Sequence, residues 1–343
     1  MTSAREPVAA SRALAAPVLP SSSALDRLSA YVQAAHAPNT LRGYDADWAH
    51  FARWCTRHQR PPLPAAPETV ALYLVDLADG LVHGLDDGDP PEPPRAVATI
   101  ARRLAGIGFV HREAGHPSPA DHEGVRRTLR GIRRAASRAG AAPGKARPLG
   151  TEEVRLLVDD LPDTLAGRRD RAAVLLGYAL ALRAADLVAL DVADLTPDPH
   201  GLRVRLRRGK SDQDGAGTTL ALVRGRRTVT CPVRAAEAWL TAAGHTGGPL
   251  LRAVGRGGRV GTGQMATSSV YRLLRRAGAR AGLDLTDLSP HSLRRGHITT
   301  AAKAGAPERQ IARTSRHASL VVLRGYIDDA QVFNDPSGSY LGL

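Results

Sequence analysis

Leu288 to Tyr326 reads LSPHSLRRGHITTAAKAGAPERQIARTSRHASLVVLRGY, and the rest of the chain is interpreted around it. Ser289 followed by Pro290 is the signature of an N-cap and a first helical position. A helix is therefore expected to start there, with His291 and Arg294 one turn apart on one face. That end of a helix attracts anions. His317 follows a second, short helical segment, and Tyr326 falls on a final short helix that Ser319 is placed to cap. Two imidazoles, a guanidinium and a phenol are thus gathered in one C-terminal stretch.

Working outward, Arg183 in ALALRAADLVAL leaves the end of an almost wholly apolar helix expected over Ala172–Leu182. Asp186, three residues on, is placed to hold that guanidinium through a bidentate pair; capping of the following short helix is its alternative role. Lys210 sits in RGKSDQDGAG, the expected turn of a hairpin. The chain holds only three lysines, Lys145, Lys210 and Lys303, so a lysine in a Gly- and Asp-rich turn stands out.

In this order, Arg, Lys, His-x-x-Arg, His and Tyr resemble the tyrosine recombinases, the phage integrase family. Residue by residue, the resemblance assigns Arg183, Lys210, His291, Arg294, His317 and Tyr326 as the catalytic set. RTSRH stands where the family has a Gly-rich signature, with Arg316 in place of the glycine that normally precedes the histidine. The resemblance implies a mainly α fold with two domains forming a C-shaped clamp on duplex DNA. One is an N-terminal helical core-binding (SAM-like) domain, the other an α+β catalytic domain with a small antiparallel sheet.

Composition agrees with a nucleic-acid partner. A formal net charge of +14 over 343 residues, carried almost wholly by arginine, points to a polyanion. No apolar run is long enough to span a bilayer, and the N-terminus lacks the apolar core of a signal peptide, so a cytoplasmic protein with no membrane contact is expected. Cys55 and Cys231 fall in different expected domains and give no disulfide framework. Neither cysteines nor a helical H-E-x-x-H accompany His291, His297 and His317, so no metal is expected. A P-loop is absent too, and no cofactor is expected.

Periodicity divides the chain. Residues 1–22, rich in Ala, Pro and Ser, are expected to be a disordered tail. Residues 23–140 read as helical: Leu41, Tyr44, Trp48, Phe51 and Cys55 recur at helical spacing after Asn39, Pro67 to Ala78 makes a second helix ended by Gly80, and Ile100 to Val110 marks a third ended by Gly115. The helix expected over Gly124–Ala139 carries Arg126, Arg127, Arg130, Arg133, Arg134 and Arg138; it is the candidate DNA-facing element, with a solvated basic face as the alternative. Residues 141–150 have a linker's composition, and 151–327 form the expected catalytic domain, whose first helix Thr151 caps. There Leu202, Val204 and Leu206 alternate with Arg203, Arg205 and Arg207, a half-buried strand with one basic face. Arg207 and Arg208 are further DNA-binding candidates. Thr218–Val223 and Arg226–Cys231 are expected to complete the sheet, and Gly255–Gly263 to form a loop along a phosphate backbone. The tail, 328–343, docks either on a neighbouring protomer, as the resemblance implies, or on its own domain.

The resemblance also implies a mechanism. Tyr326 attacks the scissile phosphate to give a 3′-phosphotyrosyl bond without metal or ATP, Arg183 and Arg294 clamp the non-bridging oxygens, and Lys210 protonates the leaving 5′-oxygen. His291 manages the tyrosine proton, His317 hydrogen-bonds the phosphate, and Asp186 orients Arg183. Double-stranded DNA is the expected partner, with a monomer or dimer in solution and a tetramer on paired sites. Tyr340 is a competing nucleophile at an ill-fitting distance from His317, and His297 reads as structural. Two other functions remain: a type IB topoisomerase-like enzyme that relaxes supercoils, and a protein that binds DNA without cleaving it.

Overall fold

The computed structural model describes residues 27, 38–83, 90–140, 146–207, 217–317 and 319–332. Arg208, Lys210 and Tyr340, the N-terminal tail and most of the C-terminal tail lie outside them. The chain forms two compact units, Met1–Pro143 and Gly144–Leu343.

The first unit is helical: α1 (Pro38–Arg57), α2 (Pro67–Asp79), α3 (Val97–Glu113) and α4 (Glu123–Arg138). Phe51, Tyr73, Leu74, Ile100 and Ile107 form its core. Gly80 ends α2 in the left-handed conformation (φ 72°), where glycine carries no steric penalty. On α4, Val125 and Leu129 are buried while all six arginines face solvent.

In the second unit, α5 (Thr151–Asp159), α6 (Leu165–Ala179) and the short α7 (Ala184–Val188) lead into strands β1 (Leu195–Asp198), β2 (Gly201–Leu206) and β3 (Thr218–Val223). Then come α8 (Pro232–Ala243), the hairpin β4 (Arg252–Val254) and β5 (Val260–Gln264), α9 (Thr267–Arg280), α10 (Pro290–Lys303), α11 (Glu308–Ser315) and α12 (Leu320–Gln331). The three-stranded sheet is antiparallel in the order β1-β2-β3. β2 buries Leu202, Val204 and Leu206 and exposes Arg203 and Arg205, as its alternation predicts. Helix α6 buries the whole run from Ala172 to Gly177, the apolar stretch that follows its charged first turns. It packs between α8 and α10. Trp239 of α8, fully buried, donates its indole N–H to the Leu250 carbonyl at 2.7 Å.

Several expectations are corrected. Arg226–Cys231 is a turn; Gly225 and the paired arginines break the alternation a strand needs, and the third strand is β1 instead. β1 contains Pro197, which is tolerated because β1 is an edge strand. Gly255–Gly263 is not one loop but a hairpin turn running into β5. Gly150, not Thr151, is the N-cap of α5, its N–H held by Glu153 Oε2 at 2.7 Å. Helix α6 begins and ends earlier than Ala172–Leu182, capped at its start by the Thr164 hydroxyl.

Residues 146–150, expected as linker, pack as part of the second unit. Arg147 N–H donates to the Asp287 carbonyl and Leu149 N–H to that of Ser292, both at 3.1 Å. This approach requires glycine on α10: a Cβ at Gly296 would lie 1.9 Å from the Leu149 carbonyl oxygen. Among the described residues no helix is long and apolar enough to cross a membrane.

Gly296→Ala should therefore destabilise the second unit by about 3 kcal/mol, the upper range for overpacking. A lower urea midpoint at unchanged m-value checks this; wild-type stability would contradict the close approach.

Candidate active site

Four local features aim side chains into one cavity of about 640 Å³ in the second unit, whose lining includes Arg183, His291, Arg294, Arg295, His317 and Tyr326. The first is the end of α6. Leu182 N–H reaches the Gly177 carbonyl at 3.0 Å and Ala181 N–H that of Tyr178 at 3.2 Å, a Schellman ending with alanine where glycine is usual (Ala181 φ 48°). The turn points the Ala181 carbonyl at Arg294, whose Nη1 donates to it at 2.6 Å. Arg183 leaves the same turn.

The second feature is the start of α10. Pro290 is its first residue, and Ser289 N–H donates to Ser292 Oγ at 3.1 Å. His291 is exposed at the cavity, whereas Arg294 is 4% exposed. The third is the turn after α11. Arg316 adopts the left-handed conformation (φ 53°), with its N–H on the Ala312 carbonyl at 2.8 Å. The chain then turns His317 toward Arg294, its Nδ1 lying 3.4 Å from Arg294 Nη2 and 2.8 Å from Ser315 Oγ.

The fourth is α12, capped by Ser319 and held by Leu323, its one fully buried residue among those described. Tyr326 lies three positions after Leu323, on the same face. Its ring centroid is 5.9 Å from that of His317, and the Arg295 guanidinium carbon sits 5.0 Å from it, within cation–π range.

Electrostatically the site is starved of negative charge. Arg183, Arg275, Arg294 and Arg295 line the cavity against one carboxylate, Asp287, and Arg183 and Arg316 share Asp186 beside it. Burial, then the charges of Arg183 and Arg316, brings Arg294 down to about 10, which leaves it cationic at neutral pH. Burial, then Arg294 and Arg183, pushes His317 down to about 4. His317 is thus a neutral imidazole. With Nδ1 accepting from Ser315 and facing Arg294, its proton belongs on Nε2.

Five of the six residues expected in the catalytic set line this cavity; the sixth, Lys210, lies outside the described residues. His297 does not line it, packing edge-on against the Tyr178 ring at 6.2 Å. Asp186 differs from expectation: Arg183 Nη1 is 3.7 Å from its Oδ2 with no bidentate pair, while Arg316 Nη2 donates to the same oxygen at 3.0 Å. The buried Arg183 Nη1 makes no hydrogen bond among the described residues. On α4, Arg126 and Arg130 pair with Asp121 and Glu123 at 3.1 and 2.5 Å, and Arg127, Arg133 and Arg134 are exposed. Arg207 is tied by its Nε to the buried Asp194 at 2.6 Å.

Residues 147–331, more than half of the chain, match the phage integrase family. The chain belongs to that family. An integrase/recombinase XerD homolog from Selenomonas ruminantium is 34% identical over 300 residues, covering 87% of this chain and 84% of that protein. Recombinase Cre of Escherichia phage P1 is 27% identical over 294 residues, covering 81% and 80%. Among solved structures, a lambda integrase (75–356) dimer bound to a COC′ core site is similar with TM-score 0.57 at 16% identity, covering 90% of this chain and 95% of that one. XerH bound to palindromic difH substrate gives 0.54 at 15% identity, covering 80% and 71%. The family read from six residues and their order, and the mainly α fold it implied, are both borne out.

Three features of this candidate site were not anticipated. Arg316 is visible in the sequence as a departure from glycine, but nothing in the sequence says where its side chain goes. Arg295 covers the Tyr326 ring, a contact that nothing in the sequence signals. Ala181 has no sequence signal for its left-handed backbone.

His317 gives a pH prediction. The unfolded imidazole takes up a proton near its ordinary 6.5, whereas the folded one resists until about 4. Its contribution to stability is therefore full above pH 6.5 and falls progressively as pH drops through that window. His317→Asn should melt with a shallower decline than wild type between pH 6.5 and 4; parallel curves would contradict the depressed imidazole.

Proposed function

We propose that this chain is a site-specific recombinase in which Tyr326 cleaves and rejoins duplex DNA. The phenolic oxygen attacks the scissile phosphorus, a Tyr326 O–P bond forms, and the P–O5′ bond breaks. The phenol proton passes toward His291 and the leaving 5′-oxygen takes a proton from Lys210. Arg183 and Arg294 hold the two non-bridging oxygens, and His317 donates its Nε2 proton to the same phosphate. Attack of a 5′-hydroxyl from a second strand reverses the step and yields the joined product. The phosphotyrosyl bond retains the phosphodiester's energy, so neither ATP nor a metal enters this scheme.

The observation that carries this reading is that the Arg183, Arg294, His317 and Tyr326 side chains line one cavity whose cations outnumber its carboxylates. Arg183 lines that cavity with its side chain 23% exposed, so part of its guanidinium is open to an acceptor of the phosphate type. Binding outside the site rests on the net charge of +14 and on the exposed arginines of α4. Affinity carried by phosphate contacts falls steeply with salt. The reading includes a cytoplasmic enzyme and four copies on two paired sites.

The test is a nicked suicide substrate built on a site selected from randomised duplexes by binding to the protein. Wild type should give a covalent adduct resistant to denaturing electrophoresis, and Tyr326→Phe should give none. Arg183→Ala and Arg294→Ala should each slow its formation by roughly a hundredfold to a thousandfold, about 3 kcal/mol. An adduct that persists in Tyr326→Phe would overturn the nucleophile.

A further inference from the structure

We propose that Arg316 is a positioning residue for DNA cleavage, occupying the Asp186 carboxylate so that the Arg183 guanidinium is left for phosphate. This rests on the function proposed above and assigns a role to a residue outside its catalytic set.

The geometry is asymmetric. Both guanidinium groups approach the same Asp186 oxygen, Arg316 at hydrogen-bond distance (3.0 Å) and Arg183 at 3.7 Å. The Asp186 and Arg316 side chains are largely buried, 9% and 11% exposed, while Arg183 is 23% exposed toward the cavity. A carboxylate three residues after an arginine, with no competitor, would draw the fork into a two-point pair. Arg183 would then hold its ordinary partner when it should hold the substrate. Arg316 removes that competition and adds a cation to the same cluster.

The backbone supports a functional reason for arginine here. Position 316 is left-handed, a conformation that glycine adopts without penalty and an L-side chain does not. Arginine at such a site is held against local preference, and its guanidinium is directed inward. Glycine relaxes the backbone and so offsets part of the cost of losing the buried pair with Asp186; cleavage by Arg316→Gly is compared with wild type well below the melting temperature of both, so that function is read apart from folding.

Single-turnover cleavage of the suicide substrate should nevertheless slow by roughly tenfold to a hundredfold, the scale of a misplaced catalytic fork. Adding Asp186→Asn to Arg316→Gly removes the competing charge and should recover most of the lost rate, while Arg316→Lys, which keeps charge but not the fork, should fall between. A rate equal to wild type in Arg316→Gly would overturn the proposal, as would a double variant no faster than Arg316→Gly. A wild-type protein that forms no adduct would instead sink the parent reading together with this one.

Discussion

A buried guanidinium is the constraint around which the catalytic unit is assembled. Removing a cation from water is strongly unfavourable unless hydrogen bonds and opposite charge replace the hydration. Arg294 meets this with the carbonyl of Ala181 and the nearby Asp186 carboxylate. Those partners come from the turn after α6 and from α7 directly behind it, while the imidazole beside it comes from the turn after α11. Three segments far apart in sequence must be in place at once, so the site exists only when the whole unit is folded.

The same arrangement accounts for the chemistry. A pocket lined by four guanidinium groups, Arg183, Arg275, Arg294 and Arg295, and one carboxylate, Asp287, favours a doubly coordinated anion more than a neutral ligand. The depressed imidazole of His317 follows first from its burial and then from the same field. Beside Arg183 and Arg294 a second proton is opposed, and the ring remains a neutral donor rather than a fourth cation.

Much of this was legible in the sequence where a local rule has a local cause. Ser289–Pro290 marks the start of α10, Gly80 the end of α2, and the Leu-Arg alternation the half-buried strand β2. What escaped depends on contacts between distant segments. β1 was hidden because Pro197 argues against a strand unless one knows it lies at the edge. Residues 146–150 have the composition of a linker, and only the close approach of Leu149 to Gly296 fixes them. The site residues were legible as an ordered set, yet the sharing of Asp186 was not. Spacing alone favours its neighbour Arg183, while the fold brings Arg316 closer from 130 residues away.

The helix bearing Tyr326 is fastened through one fully buried side chain, Leu323, supported by half-buried neighbours and by the pair of Arg324 with Glu308. Full burial of one leucine contributes only about 1.5–3 kcal/mol, well below the 5–15 kcal/mol typical of a whole domain. Local opening of this segment is thus thermodynamically separable from global unfolding. Amide protons in α12 would then exchange with solvent while those of α6 stay protected. The Tyr326 phenol thus rides on a segment only lightly committed to the core.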